Sequence, residues 1–271
     1  MAGQKPSTLT GVFHRPFDEQ LAFFRRKLRN LVPTTAWDDL LRAEHDHAFM
    51  VAGAAKADLL QDLADAVDKA IAEGVGFDQF YKDFESIVAK HGWTGWTGEE
   101  TPARRRWRAR VIYQTNVQVS YSAGRLAQLR EGKFAFWVYH HSVGELHPRP
   151  LHVSWDGLVL PANHPFWHTR YPPSDWGCRC YVTGARTEKG ARRQGGDLDK
   201  KLPDDWDKID PLTGEPPGVG KGWGYMPGDT VHQVVREMAG KIQHWDYSIA
   251  KSYMQSVPED ARDALATAYR S

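Results

Sequence analysis

The chain has 271 residues, enough for one large domain or two small ones. Its net charge of +1 excludes a protein that binds nucleic acid through overall charge, so any such contact must come from a local patch. Two cysteines are too few for a disulfide framework, and reduced thiols fit an intracellular site of synthesis. We expect neither an export signal over residues 1–12 nor a membrane span, because the chain lacks the necessary apolar runs.

The first hundred residues predict a series of helices. Apolar residues recur at helical spacing, and the strongest amphipathic stretch ends at Gly74 and Gly76, which are typical helix terminators. The predicted helices cover residues 18–31, 36–52, 54–73 and 77–90. A Gly/Trp-rich joint over residues 91–101 then favours a boundary inside the chain.

A long helix and short strands are predicted next. Thr101 is a candidate cap, and Pro102 stands at the first helical position of a helix that runs to about Arg130. Alternating aromatic and β-branched residues predict a strand over 134–140. Residues 184–230 are polar and rich in Gly and Pro, so we expect a functional or interacting arm there. Further short strands are expected near 158–160 and 180–183, and further helices over 230–256 and 258–269.

The stretch Leu146–Val182 has a composition that no ordinary helix or strand shares. It holds both cysteines, four of the twelve histidines, three tryptophans and six prolines. Proline removes backbone donors, while cysteine and histidine are typical of sites. The stretch is therefore either a functional site or a compact loop fixed by aromatic rings and a metal.

A zinc site is one interpretation of this stretch. Thiolates and imidazoles are the usual zinc ligands, and a structural site needs four of them. Cys178, Cys180, His152 and His164 supply a Cys₂His₂ set. The single residue between the cysteines is a shorter spacing than zinc sites usually have, so two buried free thiols beside tryptophans remain the alternative.

Two catalytic interpretations also remain open. One of the two thiols, with a histidine and Asp156 or Asp175, would form a nucleophilic set. His152 with Glu145 and Asp156 would form an acid–base or metal cluster for phosphodiester hydrolysis. The spacing matches no catalytic template for either, and a hydrogen-bonded loop histidine explains His152 equally.

An arginine run occupies the start of the long predicted helix. Cations near a helix N-terminus oppose the helix dipole, which suggests that acidic side chains, a subunit surface or phosphates offset them. A solvated or ion-paired helix face is the alternative. The run consists of Arg104, Arg105, Arg106, Arg108 and Arg110.

Four strings in the central stretch carry a resemblance to a known family. They are Arg149-Pro150-x-His152, Trp155-x-Gly157, His164-Pro165-Phe166-Trp167 and Tyr171-Pro172-Pro173-x-x-Trp176-x-Cys178-Arg179-Cys180. Together they resemble the phage Mu F-like minor head proteins, of the phage head morphogenesis family. The resemblance spans most of residues 13–230, with one departure: Gln114-Thr115-Asn116 stands where many relatives carry Arg-Thr-Glu.

This resemblance implies a structural protein of the virion, synthesised in the bacterial host cytoplasm and without catalytic residues. Family members are present in few copies, associate with the portal and inner capsid, and help heads assemble or keep packaged DNA ready for delivery. We therefore expect portal and/or major capsid proteins as partners, packaged phage DNA as a further contact, and no membrane. The family core is expected over residues 96–190, between an N-terminal helical region (1–95) and an arm with C-terminal helices (191–271).

The expected fold is α+β, with a helical N-terminal part, a long central helix packed on a small irregular sheet, and a helical C-terminus. We expect the Cys178–Cys180 turn to be buried against Trp155, Trp167 and Trp176, because rings and prolines crowd around the only thiols. The rival functions are a metal-dependent nuclease or toxin-like enzyme, and a zinc-stabilised DNA-binding module.

Overall fold

A computed structural model describes residues 17–144, 148–257 and 259–270. The predicted α+β class is confirmed: helices surround a three-stranded antiparallel sheet with the strand order β2-β1-β3. The strands are β1 (Phe136–His140), β2 (Val159–Pro161) and β3 (Tyr181–Ala185). The helices are α1 (Asp18–Lys27), α2 (Ala57–Glu73), α3 (Phe77–His91), α4 (Pro102–Glu131), α5 (Pro150–Ser154), α6 (Phe166–Arg170), α7 (Glu188–Arg193), α8 (Asp229–Gln243), α9 (Tyr247–Ser256) and α10 (Glu259–Arg270).

The N-terminal core forms where α1, α2, α3 and the first half of α4 pack together. Leu60 and Leu63 of α2 and Phe84 of α3 are fully buried in it, as their helical spacing predicts. Gly74 ends α2 in the left-handed conformation (φ 67°), which glycine adopts without steric cost. Here the predicted helices agree with the structure to within a few residues.

The helix predicted over 36–52 is wrong; this segment contains only a 3₁₀ helix, Arg42–Asp46. The Asp39 carboxylate accepts hydrogen bonds from the backbone N–H groups of Thr35 and Ala36, at 2.7 and 3.0 Å, and these bonds lower the pKa of Asp39. The carboxylate thus closes a turn in place of a helical first turn. Phe49 follows in a parallel bridge with Leu31, which lies beyond the end of α1.

The long helix α4 joins the N-terminal core to a second, central core. The hydroxyl of Thr101 accepts a hydrogen bond from the backbone N–H of Arg104, which is the predicted cap. Ile112 lies in the N-terminal core, and Leu126 lies in the central one. Gly124 allows α1 to cross α4 closely, since a Cβ atom there would lie 2.7 Å from the backbone nitrogen of Gln20.

The small sheet sits beside the second half of α4. Strand β1 is central and pairs with β3 from Phe136↔Ala185 to His140↔Tyr181, and with β2 from Phe136↔Pro161 to Val138↔Val159. All three predicted strands are present, shifted by one or two residues.

The segment 184–230 contains the end of β3, the short helix α7 and the start of α8, and its remaining residues form turns and irregular structure. Its Trp223 and Tyr225 are buried. The helix predicted over 230–256 is interrupted near His244, giving α8 and α9. No helix in the described part of the chain is both long enough and apolar enough to cross a bilayer.

One buried carboxylate connects two segments that are far apart in the sequence. Asp46 is fully buried and accepts hydrogen bonds from the backbone N–H of Gly228 at 3.0 Å and from the hydroxyl of Thr230 at 2.7 Å. Burial raises the pKa of Asp46, and these donors oppose that effect. Asp46 therefore joins the 3₁₀ helix to the start of α8.

Candidate functional site

Two thiols and an imidazole meet inside the central core. The possible ligand atoms of His152, Cys178 and Cys180 all lie within 4.8 Å of one another, and all three residues are buried. The Nδ1 atom of His152 is 3.6 Å from the Cys178 sulfur and 3.7 Å from the Cys180 sulfur. Three of the four residues named for a Cys₂His₂ set are thus brought together.

The sheet supplies a fourth neighbour that the sequence analysis did not name. His141 directly follows β1 and Cys180 directly precedes β3. The antiparallel ladder ends at the pair His140↔Tyr181. The next residue beyond β1, His141, therefore lies opposite the residue that precedes β3, Cys180. His141 Nδ1 accordingly lies 3.5 Å from the Cys180 sulfur. The strand prediction, extended by one residue with this register, is the signal that finds it.

The His152 ring is oriented by its other nitrogen. Its Nε2 lies 2.8 Å from the carbonyl oxygen of Gly218 and donates to it, so Nδ1 is the ring nitrogen that faces the two sulfurs. The ring also stacks on Trp155, with centroids 5.3 Å apart and planes 21° apart. The short helix α5 and the loop that contains Gly218 together hold the imidazole in place.

His164 does not join this group. Its Nδ1 accepts a hydrogen bond from the backbone N–H of Phe166 at 3.1 Å, and its ring packs against Trp206 with centroids 5.5 Å apart. Burial lowers the pKa of His164. His164 caps the turn into α6 instead, because it lies two residues before that helix. Among the described residues, the compact ligand group consists of His152, Cys178 and Cys180.

The two thiols have opposite acidities. A hydrogen bond from Cys178 is the largest effect that lowers the pKa of Cys180, and His152, Tyr139 and His141 add to it against the opposing effect of burial. The same pairing with Cys180, together with burial, raises the pKa of Cys178. The pair therefore favours one thiolate, on Cys180, with a proton held between the sulfurs.

Aromatic side chains surround the thiols, as predicted in part. Trp155 and Trp167 lie in the same buried cluster as both cysteines. Trp176 does not; it is 39% exposed, and its ring packs edge-on against Trp37 and Trp223 on the outside of the loop. The glycine between Trp176 and Cys178 turns the chain, so the tryptophan points outward while the cysteine points inward.

The strings that carry the resemblance hold the loop together. Arg149 Nε donates to the Asp175 carboxylate at 2.8 Å, and its Nη2 donates to the Trp176 carbonyl at 2.6 Å. Pro150 begins α5, and Gly157 has φ 77°. Pro172 and Pro173 are buried and joined by a cis peptide bond, and Arg179 is exposed.

A buried guanidinium supports the same core from the opposite side. Arg170 is 1% exposed and lies over the rings of Trp155, Phe166 and Trp206, with 5.2–5.6 Å between the guanidinium carbon and each centroid. It donates to the carbonyl oxygens of Pro217 and Trp206. Burial lowers the pKa of Arg170 to about 10, so it stays charged at neutral pH.

The carboxylates of the two catalytic interpretations have structural contacts. Asp156 accepts a hydrogen bond from the backbone N–H of His141 at 2.8 Å, and Asp175 pairs with Arg149. Glu145 lies outside the described residues. Asp156 and Asp175 thus act as loop-fixing groups in this geometry.

The arginine run has intramolecular contacts along its length. Arg104 pairs with Glu100 at 3.3 Å and Arg105 with Glu85 at 3.6 Å. Arg106 pairs with Asp78 and lies over the rings of Phe77 and Tyr81. Arg108 donates to the Ala52 carbonyl oxygen. Arg110 lies over the Phe77 ring. Arg104 and Arg110 remain exposed beside Trp107, which is 52% exposed. A contact with DNA or a partner at this face remains a prediction.

Comparison with known proteins gives one family and two curated relatives. The family described as Phage Mu protein F like protein matches residues 61–183. The Mu-like prophage FluMu F protein of Haemophilus influenzae is 32% identical over 234 residues, which cover 78% of this chain and 56% of that protein. The putative capsid assembly protein F of Escherichia phage Mu is 32% identical over 177 residues, 62% of this chain and 40% of that protein.

The chain spans about half the length of the curated relatives it matches. No solved structure shows significant similarity to it. The family match begins within α2 and ends within β3, so it contains both cysteines, His141 and His152. The resemblance inferred from the central strings is thus confirmed, and residues 61–183 match the phage Mu F-like family.

Proposed function

We propose that this chain is a structural head protein of a tailed phage or prophage and acts in head morphogenesis. The observation that carries the proposal is the 32% identity to two F proteins, one of them named as a putative capsid assembly protein. The fixed carboxylates of the central loop favour a structural role over catalysis. A non-enzymatic virion component, made in the host cytoplasm, accounts for these features together.

Partner contacts through exposed apolar side chains fit this role. Helix α9 has no fully buried residue among those described, and its Tyr247 and Ile249 are 80% and 54% exposed. Exposed apolar side chains of this size are typical of protein interfaces. We propose the portal and/or the major capsid protein as the partner that covers them.

Packaged DNA is a second proposed contact, at the start of α4. Arg104 and Arg110 are exposed on either side of Trp107, and cations in such a position bind phosphates in a salt-dependent manner. Charge reversal of both arginines is expected to abolish DNA binding at low salt. The matched control is charge reversal of Arg192 and Arg193 in α7, two exposed arginines whose replacement changes the net charge by the same amount.

Location in the particle tests the proposed function. Mass spectrometry of purified heads from the phage that encodes this chain is expected to detect it at low copy number beside the portal protein. Deletion of its gene is expected to reduce the yield of filled heads, with restoration from a plasmid copy. Normal yields of infectious heads that lack the protein would contradict a role in head morphogenesis.

A further inference from the structure

We propose that Cys178, Cys180, His152 and His141 bind one Zn²⁺ ion in a tetrahedral Cys₂His₂ site. The inference does not depend on the role of the chain in the phage head. It replaces His164, which the sequence favours as the fourth ligand, with a histidine that the sheet register places beside Cys180.

The distances between the ligand atoms fit a zinc tetrahedron. Zinc–sulfur bonds of about 2.3 Å and zinc–nitrogen bonds of about 2.0 Å give a sulfur–nitrogen edge of about 3.5 Å in a tetrahedron. His152 Nδ1 lies 3.6 and 3.7 Å from the two sulfurs, and His141 Nδ1 lies 3.5 Å from Cys180. These three of the four sulfur–nitrogen edges therefore match the expected value to about 0.2 Å.

The His152 imidazole is prepared for metal binding. Its Nε2–H donates to the Gly218 carbonyl oxygen, so Nδ1, which faces both sulfurs, is the nitrogen placed to bind a metal. A backbone carbonyl on the second ring nitrogen is the usual partner of a zinc-bound histidine. Gly218 itself is required there, because a Cβ atom would lie 2.4 Å from the Trp155 ring.

His141 completes the site through a small movement. It contacts Cys180 but is not a member of the group whose ligand atoms all lie within 4.8 Å. Its backbone is fixed by the hydrogen bond to Asp156, while its side chain is only half-buried. Completion of the tetrahedron requires His141 Nδ1 to approach Cys178 and His152, and we infer that rotation of this side chain about Cα–Cβ supplies that movement.

Charge explains why zinc suits this position. Two thiolates and two neutral imidazoles around Zn²⁺ give a neutral unit, which an apolar core tolerates far better than a single buried thiolate. Both cysteines are at most 1% exposed and lie among Trp155 and Trp167. Soft thiolate ligands also favour zinc over magnesium or calcium.

Metal analysis of the full-length protein tests the proposal. Protein purified without chelators is expected to hold one zinc per chain, and cobalt substitution is expected to give the visible spectrum of tetrahedral Co²⁺ with thiolate ligands. Cys178→Ser, Cys180→Ser and His152→Ala are expected to lose the metal. His141→Ala is expected to weaken zinc binding by at least about 100-fold and to alter the cobalt spectrum, as solvent replaces the imidazole. His164→Ala is the matched control and is expected to keep both the zinc affinity and the cobalt spectrum of the wild type.

Each outcome decides a part of the proposal. Absence of zinc and of the cobalt spectrum in the folded wild-type protein would overturn the site, and this readout does not depend on a variant that folds. Zinc affinity and a cobalt spectrum unchanged by His141→Ala would overturn the fourth ligand. Loss of metal in His164→Ala would restore His164 in its place. Virion location is measured separately, so failure of the head-protein role leaves this test intact.

Discussion

The two cores of this molecule are built in different ways. The N-terminal core is made of amphipathic helices whose apolar side chains recur every three to four residues, such as Leu60 and Leu63 of α2. The central core is made of short elements and loops around aromatic rings, two thiols and a buried arginine. One is encoded by local periodicity, and the other by specific polar contacts between distant residues.

This difference predicts different sensitivities to substitution. Removal of apolar volume affects the helical core most, because its stability comes from close packing. Removal of a polar group affects the central core most, because its buried carbonyls and imidazole then lose their partners. The predictions below test this contrast in order of expected effect.

The largest effect is expected for Phe84→Ala in the N-terminal core. Phe84 is fully buried and packs edge-on against Trp93 and Trp96, with centroids 6.2 and 5.6 Å away. Truncation leaves a cavity and is expected to lower the free energy of unfolding by about 4 kcal/mol. Urea denaturation measures it, with Leu212→Ala, at a position 91% exposed, as control. A loss below about 1 kcal/mol would show that this core repacks freely.

A smaller effect, of different origin, is expected for Arg170→Met. Methionine keeps much of the apolar volume but cannot donate to the carbonyl oxygens of Pro217 and Trp206. We expect a loss of about 3 kcal/mol in the free energy of unfolding. Arg179→Met, which changes an exposed arginine of the same loop, is the control and should change little. Unchanged stability of Arg170→Met would mean that rings alone hold the central core.

Acid is expected to loosen the contact between the 3₁₀ helix, which contains His45, and α8, which contains His232. Burial lowers the pKa of both His45 and His232 to about 4. The cation Lys27 adds to this effect at His45, and Arg130 adds to it at His232. Since the unfolded chain binds protons from about pH 6.5 downward, stability is full above that pH and is lost as pH falls toward 4.

Each histidine is expected to contribute about 2 kcal/mol to this loss. Unfolding free energies at pH 7 and pH 4.5 measure it, and His45→Gln and His232→Gln should each reduce the difference between the two. Comparison with these variants separates the effect of the histidines from that of Asp46. Because the pKa of Asp46 is raised in the folded protein, acid increases its contribution to the free energy of unfolding. An equal acid loss in the variants and the wild type would remove the histidines from the explanation.

The smallest effect is expected at the helix caps. Thr101 caps α4, and Thr187 caps α7 by accepting from the backbone N–H of Gly190 at 3.1 Å. Replacement of either threonine by alanine should lower the free energy of unfolding by about 1 kcal/mol, because a cap is a local interaction wherever it stands. A much larger loss at Thr187 would show that even local contacts in the central region support distant ones.

The sequence predicts the helical N-terminal core better than it predicts the central core. Periodicity identifies α2, α3 and α4, and the Thr101-Pro102 pair identifies where α4 begins. It fails over 36–52, where the Asp39 carboxylate competes with the helix for backbone donors. The composition of the central stretch offers His164 as a zinc ligand and does not include His141, because the position of His141 beside Cys180 depends on a strand register that composition does not carry.

The register between β1 and β3 decides whether His141 lies beside Cys180. Side chains alternate between the faces of a sheet, so a shift of β3 by one residue against β1 would place Tyr181 opposite His141 and move Cys180 away from it. A single-residue insertion near Arg179 should therefore be more damaging than most substitutions there. The register of this sheet thus brings His141 and Cys180, which are 39 residues apart in the sequence, to a nitrogen–sulfur distance of 3.5 Å.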